Sequence, residues 1–396
     1  MNKETLKNWK ESKLDQLIDF YIGGDWGEEF QISPDYVETR VIRATDISNW
    51  EKTNGKNAQI RYLKTSSLEK RELQEGDIVI EISGGSPDQP VGRSIVVKKD
   101  KQDNKIYTCS NFFRLLRVNK NEILPEFLNY YFKFLYNTRI IEQYQSNSTN
   151  LRNLKFKQFI AQKIPYPSEI SEQREIVQVL DTMNDIIRLR EECIFQAQAL
   201  IPALFQEMFD NPQTNKKNLN KVKVGNILTL SSGKFLPAKE MDENGIYSVY
   251  GGNGINGHHN KYLFEEPQLC IGRVGVKCGC VHLTEPKSWI TDNALYINKL
   301  LKLLNMTYLK EALTQINLNQ YAKRAAQPVI SQTTIYNQYI LEPPIELQEQ
   351  FAQKVIEIES YIKEQDDELK NAEQMFQSLL HHAFTGELTW RAYGNN

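Results

Sequence analysis

A segment near the middle of the chain returns near its end, and this duplication constrains the fold more than any local pattern does. Pro167-Ser168-Glu169-Ile170-Ser171-Glu172-Gln173 comes back as Pro344-Ile345-Glu346-Leu347-Gln348-Glu349-Gln350, which sets Gln173 against Gln350 at an offset of 177. Closer to the start of each half, Leu14-Asp15-Gln16-Leu17-Ile18 with Gly23 parallels Val224-Gly225-Asn226-Ile227-Leu228 with Gly233, at an offset of 210. Unequal offsets describe two halves that share a frame and differ in the length of what it holds.

Each repeated proline is followed by a long stretch with helical spacing. The first aligns Ile176, Val179, Leu180, Met183, Ile186, Ile187, Ile194, Ala197, Ile201 and Leu204 on one stripe; the second aligns Phe351, Val355, Ile358, Ile362, Leu369, Ala372, Phe376, Leu379 and Ala383. Roughly 40 residues at 1.5 Å rise make a helix about 60 Å long, which needs a partner. The simplest partner for each is the other, in an antiparallel coiled coil. Gln173, Ile176, Leu180 and Ile187 from the first helix, and Gln350, Val355, Ile362 and Leu369 from the second, are the candidate spacer contacts. Pro202 is expected to kink or end the first helix, and residues 211–218 read as a polar linker. Core helices of one large domain are the plainer alternative, but narrow stripes with acidic flanks favour paired rods.

The segments between the helices are different in kind. Ile78-Val79-Ile80-Glu81-Ile82 and Arg93-Ser94-Ile95-Val96-Val97 read as strands joined by a tight turn, with Leu269 to Gly275 and Cys280 to Leu283 in the equivalent place. Each segment then changes to helix, at 124–144 and 306–321. The expected fold is α+β, with two mixed α/β domains at 1–166 and 213–343. Helical segments 167–212 and 344–396 separate them in a pseudo-two-fold repeat. A chain of 396 residues has room for two such domains.

A composition of 40% hydrophobic and 25% charged residues excludes disordered and fibrous classes. No apolar run approaches the roughly 18 residues of a membrane span, and the start, Met1 to Thr5, is polar. Five scattered cysteines do not make a disulfide framework. These features point to a reducing cytoplasm. The net charge of −2 is unevenly placed: residues 168–210 carry −6 and residues 345–388 carry −7, which leaves +11 for the rest. Acidic helices and basic domains suit a polyanionic ligand held by the domains. A helical scaffold that binds only protein would leave the basic remainder unexplained.

Enzyme signatures are missing where they would be needed. Glu342-Pro343-Pro344-Ile345 lacks the amide and the aromatic of an amino-methyltransferase loop, and no G-x-x-x-x-G-K-[ST] phosphate loop occurs. Glu285-Pro286-Lys287 has a nuclease-like E-x-K spacing but places proline where a catalytic strand would run. Cys270, Cys278 and Cys280 with His258, His259 and His282 do not follow the paired spacing of a zinc site, so no metal is expected.

Taken together, the sequence resembles the specificity subunits of type I restriction-modification enzymes across nearly its whole length. The resemblance rests on the doubled helix-start motif, on Tyr247-Ser248-Val249-Tyr250-Gly251-Gly252-Asn253-Gly254-Ile255, and on Ile271-Gly272-Arg273-Val274-Gly275 with Trp289-Ile290-Thr291-Asp292-Asn293-Ala294. Gly23-Gly24-Asp25-Trp26-Gly27 and Phe384-Thr385-Gly386-Glu387-Leu388 add to it. It implies a non-catalytic DNA-binding subunit whose two domains each read half of a split double-stranded target. The helices would set the gap, with the domains meeting major grooves about one helical turn apart. It also implies two methyltransferase subunits and a motor-nuclease subunit as partners. S-adenosylmethionine, ATP and magnesium would sit on those partners and no cofactor on this chain.

Residue type and loop context nominate DNA contacts. They are Arg43 and Thr45; Ser83, Gly84 and Arg93; Tyr250, Gly252, Asn253 and His258; Arg273 and Lys277; and Lys323, Arg324 and Gln327. Many exposed polar residues in such loops are only solvated, and Asn111 and Asn293 are as well suited to capping turns as to touching bases.

Overall fold

A computed structural model describes residues 9–86, 88–99, 104–146, 151–323 and 327–385. The chain divides into two compact units, Met1–Arg188 with Lys370–Asn396, and Leu189–Leu369. The division falls within both long helices, Ile170–Phe209 and Ile345–Thr385. Each helix therefore gives part of its length to each core, where the sequence sets the helices apart as separate segments. The reason is burial: the apolar stripes are inserted among the domain side chains.

In the first unit, Ile78–Glu81 is buried along its whole length, and its run of β-branched residues suits a central strand. It pairs antiparallel with Ser94–Val96 and with Phe113–Val118, and Ile18–Gly23 completes a four-stranded sheet. Tyr36–Ile42 pairs antiparallel with Gln59–Lys64 and parallel with Tyr107–Cys109 in a second sheet. Trp9–Lys13 and Lys163–Pro167 form a ribbon just before the first long helix. The connection after Ile78–Glu81 is not the expected tight turn. Ser83–Gly85 leaves the sheet and pairs with Arg152–Leu154, a departure made at Gly84, whose φ of 96° a side chain would strain.

Helix Pro125–Asn137, with proline in its first turn, turns Phe127, Leu128, Phe132 and Leu135 inward. They share one core with Ile176, Leu180 and Met183 of the first long helix and Phe376, Leu380 and Phe384 of the second. Phe384 lies 5.2 Å from Phe127 and 5.4 Å from Tyr131 between ring centres. Burying side chains of this size stabilises the unit by about 2 kcal/mol each.

The second unit repeats the plan. Its four-stranded sheet runs Leu228–Ser232, Ala294–Leu300, Leu269–Gly272, Val281–Leu283. Tyr247–Gly251 pairs antiparallel with Gly254–His259 and parallel with Trp289–Ile290, and Asn220–Lys223 with Tyr339–Glu342 forms the ribbon. Helix Met306–Gln315 is capped by Asn305, whose side chain accepts the N–H groups of Thr307 and Tyr308. Phe205, Phe209, Tyr308 and Phe351 cluster in the core.

Within this unit the two long helices lie against each other antiparallel. Arg190 donates to Gln365 at 2.9 Å and pairs with Glu368, whereas Phe205 meets Phe351, so one numbering rises as the other falls. Pro202 lies inside the first helix without ending it; the buried Phe205 and Phe209 hold the turns that follow.

The structure also corrects the register of the repeat. Gln173 accepts the N–H of Leu124 at 2.8 Å and donates to the carbonyls of Glu122 and Pro167 at 2.9 and 3.0 Å. In the second unit it is Gln348 that accepts the N–H of Asn305 at 2.9 Å and donates to the Pro343 carbonyl at 2.8 Å. Gln350 is exposed. The helices start at Ile170 and Ile345, an offset of 175, and in that register Ile176 answers to Phe351 and Leu180 to Val355, all buried. Two glutamines in Gln348-Glu349-Gln350 made the string ambiguous, and only burial separates them. Of the other spacer residues, Ile187, Ile362 and Leu369 are half-buried.

Candidate nucleic-acid interface

In each unit three backbone segments meet at one edge, held by the same set of hydrogen bonds. In the first, the N–H groups of Ile82, Ser110 and Gly24 donate to the carbonyls of Phe112, Ile42 and Phe113 at 2.8, 3.0 and 3.1 Å. In the second, those of Arg273, Thr291 and Gly233 donate to Asn293, Tyr250 and Ala294 at 2.8, 2.8 and 3.1 Å. A Cβ on Gly24 would strike the carbonyl oxygens of Cys109 and Ser110, and one on Gly233 those of Ile290 and Thr291. Gly24, not Gly23, is therefore the counterpart of Gly233. An irregularity in the strand pairing between Ile18 and Phe20 moves the frame by one residue. Gly84 and Gly275, with φ of 96° and 93°, follow at matching positions.

The edge of the second unit gathers most of the residues expected in that unit. Gly252 has no room for a side chain, since a Cβ would lie 2.7 Å from the Val274 carbonyl, so the turn bearing the exposed Asn253 rests on the Arg273 loop. Arg273 is exposed, with Nη1 donating to Ser232 Oγ at 3.3 Å. The loop is tied to the segment carrying Lys323 and Gln327, because Gly275 and Ile330 donate to the Pro328 and Arg273 carbonyls at 2.9 Å. Lys277, Lys323 and Gln327 are exposed, with Asn293 and Asp292 in the adjoining turn. Cations beside amides are the chemistry that neutralises phosphates and reads base edges. Arg324 lies outside the described residues.

Two expected contacts belong to the framework instead. Tyr250 is 5% exposed, and its hydroxyl accepts the Glu285 N–H at 3.1 Å. Arg93 lays its guanidinium fork on Glu81 at 2.9 and 2.7 Å in a largely buried pair, and the carboxylate holds its pKa up. Arg43 pairs with the buried Asp46 at 3.1 and 3.3 Å while its own side chain stays half-exposed. Thr45 is exposed. The Ser83 hydroxyl donates to Asn153 beside the exposed Gly84. His258 is exposed on its strand opposite Ser248, and its carbonyl accepts the Asp242 N–H, away from the turn bearing Asn253. Sequence reading did not nominate Phe112, exposed at the centre of the first junction. The signal that finds it is the alignment of residues 110–113 with 291–294, visible only once the hydrogen bonds are compared.

The cysteine and histidine cluster has another explanation. Cys270 pairs with His282 across two strands, and burial pushes its thiol up to about 12. Among the described residues no three His, Cys, Asp or Glu side chains are placed to share a metal. Burial, with Lys310 nearby, lowers the pKa of His282, whose Nε2 has no hydrogen-bond partner. Among the same residues no helix is long and apolar enough to cross a membrane.

Two copies of one α+β module, each with a loop edge and a share of a long helix pair, define a tandem recognition protein. A family profile for the type I restriction modification DNA specificity domain matches the chain twice, over residues 6–196 and 216–371. The chain belongs to this family, and so is a specificity subunit rather than a catalytic one. It is 27% identical over 216 residues to the type I restriction enzyme EcoprrI specificity subunit of Escherichia coli. That match covers 49% of this chain and 50% of that protein. With the StySPI specificity subunit of Salmonella potsdam it shares 26% over 400 residues, covering 89% of this chain and 83% of the other. The solved S subunit of a type I restriction-modification system from M. genitalium is similar in fold. Its TM-score is 0.55 at 16% identity, over 95% of this chain and 96% of that one.

Proposed function

We propose that this chain reads a split DNA target for a type I restriction-modification complex, one half through each module, and carries the partner subunits on its helices. The observation that supports this reading best is the doubled junction. One backbone frame presents two different sets of side chains, as reading two unlike half-sites requires. The Arg273, Lys277 and Lys323 edge supplies phosphate contacts, and Asn253, Asn293 and Gln327 supply amides for base edges. Methyltransferase subunits, in two copies, and a motor-nuclease subunit supply the chemistry. S-adenosylmethionine, ATP and magnesium belong to them, and the complex works in the cytoplasm.

Filter binding of the assembled complex across a salt series tests the reading. Specific DNA affinity is expected to fall steeply with salt, and replacing Arg273, Lys277 and Lys323 with glutamine is expected to flatten the log–log slope by about 0.9 for each phosphate no longer neutralised. An unchanged slope would remove this edge from the interface. Absence of DNA binding by the complex would remove the function.

A further inference from the structure

The matching junctions place two unlike side chains at one position of the module. Phe112 and Asn293 each give their carbonyl to the neighbouring loop, at Ile82 and Arg273, and each is exposed. The turn bearing Phe112 closes through the Phe113 N–H on the Ser110 carbonyl at 3.0 Å, so backbone bonds set its shape. The ring is 50% exposed and rests over Gly84, where a Cβ would come 3.9 Å from Cδ2. A large apolar face left in water gains free energy when a ligand covers it.

Building on the DNA-reading role proposed above, we infer that residues 112 and 293 are equivalent base-reading positions. Phe112 covers the 5-methyl group of a thymine in the major groove, and Asn293 reads its half-site through its amide. The ring lies beside the Gly84 loop, at van der Waals distance from where a Cβ on Gly84 would stand, and half of it faces solvent. An exposed apolar face on this edge suits a methyl in the major groove, the apolar mark that distinguishes thymine.

The experiment starts from the motif that the wild-type complex, with its cognate methyltransferase subunits, marks in DNA. Each thymine of that motif is replaced singly by uracil, which deletes only the methyl, and affinities are compared. One replacement is expected to weaken wild-type binding about three- to fivefold, the worth of one buried methyl. Phe112→Ala is expected to bind thymine and uracil duplexes equally at that position. Phe112→Met, still apolar, keeps the discrimination, and Asn293→Ala leaves it untouched while relaxing the other half of the motif. The inference is overturned if no thymine responds, if the first half-motif holds no A·T pair, or if Phe112→Ala still discriminates. The uracil series uses wild-type protein, so misfolding of a variant does not affect it. A wild-type complex that marks no two-part motif would instead overturn the DNA-reading role itself.

Discussion

Arginines chosen from a sequence for their charge divide, once folded, into those that face solvent and those that hold the frame. Arg93 is grouped by sequence with Ser83 and Gly84 as a DNA contact, yet its guanidinium is held by Glu81 through Nε and Nη2. The two residues face each other from neighbouring antiparallel strands, a pairing that depends on strand register rather than on residue type. Removing one member of a buried pair leaves the other charge unpaired. Glu81→Ala is therefore expected to cost about 3 kcal/mol in denaturant unfolding, and a cost under about 1 kcal/mol would contradict the framework role. Thiols divide in the same way. Cys193 is exposed, whereas burial pushes Cys109 and Cys270 up to about 12. A maleimide at neutral pH is expected to label Cys193 at once, and Cys109 and Cys270 only on unfolding. His282 supplies a pH dependence. Because burial lowers its folded pKa, the unfolded chain takes up a proton below about pH 6.5 that the folded chain refuses, and stability falls as pH drops through that window. His282→Gln is expected to lose less thermal stability than wild type between about pH 7 and pH 5; an identical loss would place the acid sensitivity elsewhere.

At the scale of elements, helices and strands were legible because periodicity survives without context. The stripes from Ile176 and from Phe351 did become helices buried on one face, and Ile78–Glu81 did become a central strand. Register was not legible to the same depth. The glutamine that ties each long helix to its module is chosen by backbone groups at Leu124 and Glu122, or Asn305 and Pro343, and a string comparison does not contain these. Gln173→Leu and Gln348→Leu, which strand these groups, are expected to cost about 2 kcal/mol each. Gln350→Leu, at an exposed site, is expected to stay within about 0.5 kcal/mol. Equal effects at 348 and 350 in chemical denaturation would restore the register read from the string. The small sheet holding Ser83–Gly85 was likewise invisible, since its partner Arg152–Leu154 is far along the chain and its turn depends on the backbone of Gly84.

For the molecule as a whole, the duplicated motif was enough to announce two modules of one plan. Unequal spacing announced that their contents differ. What it hid was how deep the likeness goes: the two junctions share their hydrogen bonds while differing at Ile82 and Arg273, at Phe112 and Asn293, and at Asp25 and Lys234. Fold is carried by glycines and backbone bonds, and recognition by the side chains set on them. Base-resolution sequencing of DNA methylated by the complex tests this most directly, comparing wild type with a chain whose residues 213–343 come from a relative of different specificity. The account expects a motif of two defined blocks separated by a fixed number of unspecified bases, with the exchange rewriting one block and leaving the other intact. A single unbroken motif, or an exchange that rewrites both blocks, would contradict it.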